Sequence, residues 1–224
     1  VSLFFVLTVS AVDVPIKLFP LDNYNQNVDH WFNKSTKTFK QALLTKKQKR
    51  SRVEDFYNHY FSTRSQQSPW SEGYIQRLIT PSEGPTITEL EQQIIAFFDN
   101  GQKNDSSKIG YGENFTAYQP SWIASIRQNI HVHQFDNLQY SASQRGIIVN
   151  NVSARALPTS DVHFYKFNLP GQGYPFDNLQ MSAVWVGTPV YILGHSVDKA
   201  WDFVATPNLI GWVPSASVAK ANND

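Results

Sequence analysis

The chain contains no cysteine in 224 residues. That absence excludes a disulfide framework, a thiolate metal site, a lipid-modified N-terminal cysteine and a cysteine nucleophile. Whatever forms here must be held by apolar burial and hydrogen bonds. The composition permits it: 41% hydrophobic and 17% charged residues are too apolar for disorder and too mixed for a membrane bundle. The length allows one large domain or two small ones. A net charge of +1 argues against a dedicated nucleic-acid binder, which carries a large basic excess. Aromatics, at 14%, favour strands and ligand platforms, and so point to a β-rich binding module.

Residues 1–11, VSLFFVLTVSA, hold an apolar run from Leu3 to Val9 that is too short to span a bilayer. The run fits the apolar region of a signal peptide. Val9-Ser10-Ala11 places small residues at a cleavage site, although the Lys or Arg of an n-region is missing. The expectation is an exported chain, periplasmic or cell-wall associated, maturing near Val12, with no transmembrane segment.

From Asp22 to about Gln139 the pattern is helical. A basic run holds Lys34, Lys37, Lys40, Lys46, Lys47, Lys49, Arg50 and Arg52, with no acidic residue before Glu54. Phe39, Leu43 and Leu44 stand at helical spacing within it, and Val53, Phe56, Tyr57, Tyr60 and Phe61 repeat at three and four residues as one aromatic face. Thr86 to Glu89 reads as a capping box opening an amphipathic helix through Leu90, Ile94, Ile95, Phe97 and Phe98, closed by Asn100-Gly101. Pro120 suits the first turn of a further helix running through Ile130.

The texture changes near Arg145. Short β-prone runs (Gly146 to Val149, Ala183 to Val186, Val190 to Leu193, Trp201 to Ala205, Gly211 to Val213) alternate with Pro and Gly turns, as in a small barrel or sandwich. The expected class is α+β: a segment resembling a signal peptide (1–11), a mainly helical domain (12–144) and an SH3-like small β-barrel (145–224).

Ordered motifs sharpen the β half. Val152 to Thr159, Pro170 to Gln180, Ser182 to Tyr191, Ser196 to Val204 and Gly211-Trp212-Val213-Pro214 follow one another in a sequence that resembles the first bacterial SH3 domain of multidomain NlpC-type cell-wall cysteine peptidases. Upstream, Tyr60-Phe61 with Ser68-Pro69-Trp70, and Tyr111-Gly-Glu113-Asn114-Phe115, resemble that family's N-terminal helical signatures. The likeness runs over about residues 22–219. It implies an association with peptidoglycan stem peptides and a catalytic domain in cis, beyond Asp224, that carries the family's catalytic Cys and His. Where the family often has Asp-Gly this chain has Asp198-Lys199, which suggests a different turn, since Gly suits φ > 0.

The barrel aromatics Tyr174, Phe176, Trp185, Tyr191, Trp201, Phe203 and Trp212 are the candidate ligand surface. Strand alternation sends about half of them inward, with Trp185, Phe203 and Trp212 expected in the core. Tyr174 and Trp201 flank turns. Asp177 either meets the free amine of a stem peptide or makes an Asx-turn or cap. Arg155 either clamps a stem carboxylate or is a barrel residue tied to the backbone. Arg155, Tyr174, Asp177 and Trp201 are therefore the candidate ligand-binding residues. No catalytic residue, cofactor or metal site is expected. His131-x-His133 lacks a third ligand at a telling spacing, and adjacent His195 and Ser196 point to opposite faces of a strand. The sequence leaves two functional readings: the wall-binding front of a peptidoglycan hydrolase, or a free-standing periplasmic peptidoglycan-binding protein.

Overall fold

The computed structural model describes residues 25–221. The apolar run of residues 1–11, the maturation point near Val12 and the start of the helical pattern at Asp22 lie outside the described residues. Among the described residues, those up to Gln48 form one compact unit and those from Lys49 onward form a second.

In the first unit a short helix, α1 (Val28–Trp31), starts at Asn27, whose side chain accepts from the Asp29 N–H. The expected helix through Phe39, Leu43 and Leu44 does not form. A single 3-10 turn spans Lys37–Lys40, Gln41 is extended, and Leu43 is 99% exposed. Helical spacing of apolar residues is not enough without a surface to bury them, and like charges at three-residue spacing oppose the helix. Helix α2 (Lys46–Tyr60) begins only where Thr45 and Gln48 cap it reciprocally, each side chain accepting from the other's backbone N–H.

The second unit continues with α3 (Glu72–Ile79), capped by Ser71, α4 (Ile87–Phe98) and α5 (Pro120–Ile130). The expected capping box at Thr86 and Glu89 opens α4, and Pro120 occupies the first turn of α5. The buried stripe of α4 is Ile87, Glu91, Ile95 and Phe98, whereas Phe97 is exposed. Gly101 does not close α4 with a left-handed residue. Asp99 ends it, and its side chain accepts from the Gly101 N–H to start a 3-10 turn.

Seven antiparallel strands follow: β1 (Arg145–Ile148), β2 (Val152–Arg155), β3 (Gln180–Val184), β4 (Pro189–His195), β5 (Trp201–Ala205), β6 (Ile210–Pro214) and β7 (Val218–Lys220). They form one sheet in the order β3-β2-β6-β5-β4-β1-β7. Together the helices and this antiparallel sheet give the expected α+β class.

Alternation along the strands divides two cores. Val190, Ile192, Val204 and Val213 join Ile148, Ala154 and Val184 in a cluster contributed by strands alone. Their neighbours Tyr191, Leu193, Phe203, Ala205 and Trp212 pack instead with Ile75 of α3, Ile87, Ile95 and Phe98 of α4, and Ile123, Ile126 and Ile130 of α5. The central strands are thus buried on both faces. The change of texture at Arg145 marks where strands begin, while the packing runs across it. Trp70 of the Ser-Pro-Trp motif helps to fasten the two: its indole Nε1–H is shared between the carbonyls of Gly146, at 3.1 Å, and Val190, at 3.2 Å.

Glu91 is fully buried within the helix-facing core. Its Oε2 accepts from the Trp212 indole N–H at 3.0 Å, its Oε1 has no partner, and burial pushes the carboxyl up to about 8. A protonated carboxyl at neutral pH follows, because a lone buried carboxylate is far costlier than a neutral acid.

One expectation is corrected here. Trp185 is 67% exposed, not core: Val184 fills the strand core, and Trp185 enters the β3–β4 turn closed by Thr188 N–H to its carbonyl. The turn at Asp198-Lys199 keeps its positive φ without glycine, with Lys199 at φ 62. Asp198 holds that turn by accepting from the Ala200 N–H at 3.0 Å and the Ser196 hydroxyl at 2.5 Å.

Candidate functional site: an aromatic cleft between two loops

With Phe203 and Trp212 under the helices, the exposed aromatics gather in the loops. The Tyr-Gly-Glu-Asn-Phe stretch makes a tight reversal. The Phe115 N–H reaches the Gly112 carbonyl at 3.0 Å, the Gly112 N–H reaches the Thr116 carbonyl at 3.0 Å, and Phe115 takes φ 57. This reversal docks on the long loop between β2 and β3 through a two-way backbone bridge. The Tyr111 N–H donates to the Phe164 carbonyl at 2.8 Å, and the Phe164 N–H donates back at 2.9 Å.

The base of the reversal is set by Asn100. Its amide donates to the carbonyls of Gly110 and Tyr118, at 3.0 and 2.9 Å, and its Oδ1 accepts from the Gly110 N–H at 2.7 Å. Gly110 lies against the ring of His163, so that a Cβ there would sit 2.0 Å from Nε2; only glycine fits. His163 is 1% exposed, boxed by the rings of Phe98, Tyr118, Trp122 and Tyr165. Burial pulls it down to about 4, so it is neutral at physiological pH and serves as packing. Tyr118 stacks on Trp122 at 3.9 Å and donates to the Val162 carbonyl at 2.6 Å.

Between the two loops lies a cavity of about 530 Å³ lined by Tyr111, Phe115, Tyr165, Lys166, Phe167 and Asn168. The Tyr174 ring adjoins it, meeting Phe115 at 5.8 Å and Phe164 at 5.6 Å between centroids, both edge to face. Phe115, Phe167 and Tyr174 are more than half exposed. The Tyr165 hydroxyl is buried with no hydrogen-bond partner. Burial also raises its pKa, so it remains a neutral donor and acceptor. Lys108 stands 5.3 Å over the Tyr165 ring, and Lys166 adds a second cation at the rim. Flat rings exposed at an open mouth suit stacking on a peptide or sugar face.

The four residues singled out from sequence fall in three places. Arg155 and Asp177 meet each other: Nη1 lies 2.9 Å from Oδ2, and their side chains are only 11% and 12% exposed. Arg155 also donates to the Asp161 carbonyl. Asp177 Oδ1 accepts from the N–H groups of His163 and Leu179, both at 3.0 Å, the second being an Asx-turn. The two residues thus form a clasp between β2 and the long loop. Tyr174 is the member that stands at the cleft. Trp201 lies at the start of β5, opposite Pro214, half-buried against the helix-facing core.

Sequence reasoning missed Asn100 and Tyr165. Asn100 was read only as a helix stop, and Tyr165 was not singled out. The signal for Tyr111 and Phe115 was present in the Tyr-Gly-Glu-Asn-Phe motif, but spacing alone did not bring it to the barrel loops. Elsewhere, His131 ends α5 in the left-handed region while His133 pairs with Asp136 at 2.9 Å, and no group of three His, Cys, Asp or Glu among the described residues could hold a metal ion. His195 faces Asp202 at 2.8 Å, and the Ser196 hydroxyl turns instead to Asp198. No helix among the described residues is long and apolar enough to cross a membrane.

No curated protein matches the chain. Among solved structures, a novel NlpC/P60 endopeptidase from Photobacterium damselae subsp. piscicida is similar with a TM-score of 0.70 and 31% identity, over 89% of this chain and 42% of that one. The chain therefore spans less than half the length of that endopeptidase. A family model described as an SH3 domain of the SH3b1 type matches residues 163–214, from the cleft's long loop to the end of β6.

Proposed function

We propose that the chain is a non-catalytic, peptidoglycan-binding region of an NlpC-type wall hydrolase, and that the aromatic cleft holds the stem peptide. In this reading an exported chain, at the periplasm or cell wall, carries a helical domain (12–144) that props the SH3-like barrel (145–224). The barrel presents substrate to a catalytic domain acting in cis. The peptidase's cysteine nucleophile is not among these residues.

The observation that carries the reading is the cleft of Tyr111, Phe115, Tyr165 and Phe167, with Tyr174 against Phe115, built by the long loop of the SH3b1-matched segment and by the Tyr-Gly-Glu-Asn-Phe reversal. Similarity to an NlpC/P60 endopeptidase supports the class of polymer. Stem peptides alternate small apolar side chains with carboxylates. The rings offer the first a flat apolar wall, and Lys108 and Lys166 offer the second a cation at the rim.

Retention of the chain on purified sacculi tests this. Wild type should co-sediment at moderate salt and leave the sacculi uncut, whereas Phe115→Ala with Tyr174→Ala should weaken retention by ~10-fold or more, as expected for two central aromatic anchors. Equal retention of the double variant, or none of the wild type, would overturn the proposal.

A further inference from the structure

Helix α2 carries a stripe that the cleft does not use. Lys46, Lys49, Arg50, Val53, Phe56, Tyr57 and Tyr60 recur at three- and four-residue steps, and so share one face of the helix. From Lys46 to Asn58 every residue of α2 is exposed, and Tyr60 is half-buried. Val53, Phe56 and Tyr57 are 67%, 56% and 57% exposed. At the far end Phe56 meets Tyr60 and Phe61 at 4.8 and 6.0 Å, so the rings form a cluster rather than isolated side chains.

Both halves of this stripe break a local rule. The first turn of α2 holds no acidic residue, and Lys46, Lys47 and Lys49 stand where the helix dipole disfavours cations. The second half leaves large apolar rings in water. Local conflicts of this kind gather at functional surfaces.

The charge extends beyond the helix. From His30 to Val53 the chain has eight Lys or Arg and no Asp or Glu, while from residue 53 onward acidic residues outnumber basic ones fifteen to ten. The sequence is thus polarised, a cationic segment being followed by a net acidic remainder.

We propose that α2 docks on an anionic lipid surface, its Lys46–Arg52 half on headgroup phosphates and its Phe56–Tyr57 half at the headgroup–acyl boundary. Charge complementarity selects an anionic partner. The rings favour a bilayer over a soluble polyanion, because a polyanion would engage the cations and leave Phe56 and Tyr57 in water, whereas an interface accepts both. This inference stands independently of what the cleft binds.

Vesicle sedimentation of the full chain tests it. The wild type should bind vesicles of mixed phosphatidylglycerol and phosphatidylcholine at about 0.1 M salt and release as salt rises. Phosphatidylcholine alone should retain it far less. The variant K46Q/K47Q/K49Q/R50Q removes cations from the wrong end of the helix dipole, so it should keep its helical circular dichroism. Its partitioning should fall at least ~100-fold, from roughly five-fold per cation. Equal binding to neutral vesicles, or unchanged binding by the quadruple variant, would assign any association to the apolar run of residues 3–9 and overturn the proposal. Capture by polyphosphate with none by vesicles would overturn it in favour of a soluble polyanion.

Discussion

Phe203 and Trp212 on one side, and Phe115 and Tyr174 on the other, are the same kinds of side chain put to opposite uses. The first pair sits on β5 and β6 at 1% and 0% exposure, roofed by α3, α4 and α5. The second pair sits on loops at 55% and 59% exposure, with ring centroids 5.8 Å apart. An SH3-like barrel has an obvious aromatic face on its strands, yet here that face is closed by the helical segment. What remains for a ligand is what the loops carry. Burial by a neighbouring element, more than residue type, decides which aromatics hold the fold and which are offered outward.

The sharpest way to break that division is to truncate both kinds. Phe203→Ala should cost about 3–5 kcal/mol, as for a buried ring that leaves a cavity. Its folded fraction should still bind sacculi as wild type does. A fall in affinity at constant folded fraction would mean that the two sets are not separate.

The Arg155–Asp177 clasp lies between the two regions. Asp177→Ala removes the partner of a largely buried guanidinium and leaves two N–H groups without an acceptor, so a loss of about 3 kcal/mol is expected. Denaturant unfolding reads this directly. Loss of binding with stability unchanged would favour the reading of Asp177 as a ligand residue.

Glu91 tests the core side by pH. Its folded pKa, about 8, is raised above the ordinary value of 4.5. The unfolded state therefore releases the proton first. Its share of stability is full below about 4.5 and is lost as pH rises toward 8. Glu91→Gln should abolish that slope and raise stability at pH 8 by on the order of 3 kcal/mol. Unfolding curves at pH 5 and pH 8 for both proteins settle the sign. A variant less stable at pH 8 would show that the carboxylate is compensated.

The smallest effect belongs to a turn remote from this comparison. Lys199→Gly relieves a left-handed residue, partly offset by the entropy of glycine in the unfolded chain, for a gain of about 0.5–1 kcal/mol in thermal unfolding. It should leave sacculus binding untouched.

Much of the fold was legible because its signals are local. The Thr86–Glu89 capping box, Pro120 at the start of α5 and the Pro and Gly turns after Arg145 each act within a few residues. The two-sided burial of β4 to β6 is not local: Val190 to Leu193 read alike in sequence, and only packing separates alternate residues into two cores. Trp185 was misplaced for the same reason, since the core at that edge is filled by Val184 and the chain turns immediately after it. Glu91 sits in an apolar helix stripe where spacing alone predicts a hydrophobe.

The candidate site was half legible. Tyr174 and the Tyr-Gly-Glu-Asn-Phe motif were visible, but their meeting depends on the Tyr111–Phe164 backbone bridge and on Gly110 lying against His163, pairings about 50 residues apart in the chain. Arg155 and Asp177 each carried two readings, and their pairing at 2.9 Å, across 22 residues of chain, is not visible in local spacing. The resemblance to a cell-wall peptidase supplied a polymer and not a surface.

The central claim is that the loop cleft, and not the strand face, meets peptidoglycan. Titration of the isotope-labelled chain with a soluble disaccharide–stem peptide, followed by amide chemical shifts, tests it most directly. Saturable shifts are expected at Tyr111 to Phe115 and Tyr165 to Tyr174, abolished by Tyr174→Ala, with Trp201 to Phe203 unmoved. Shifts centred on β5 and β6, or none at millimolar peptide, would contradict it.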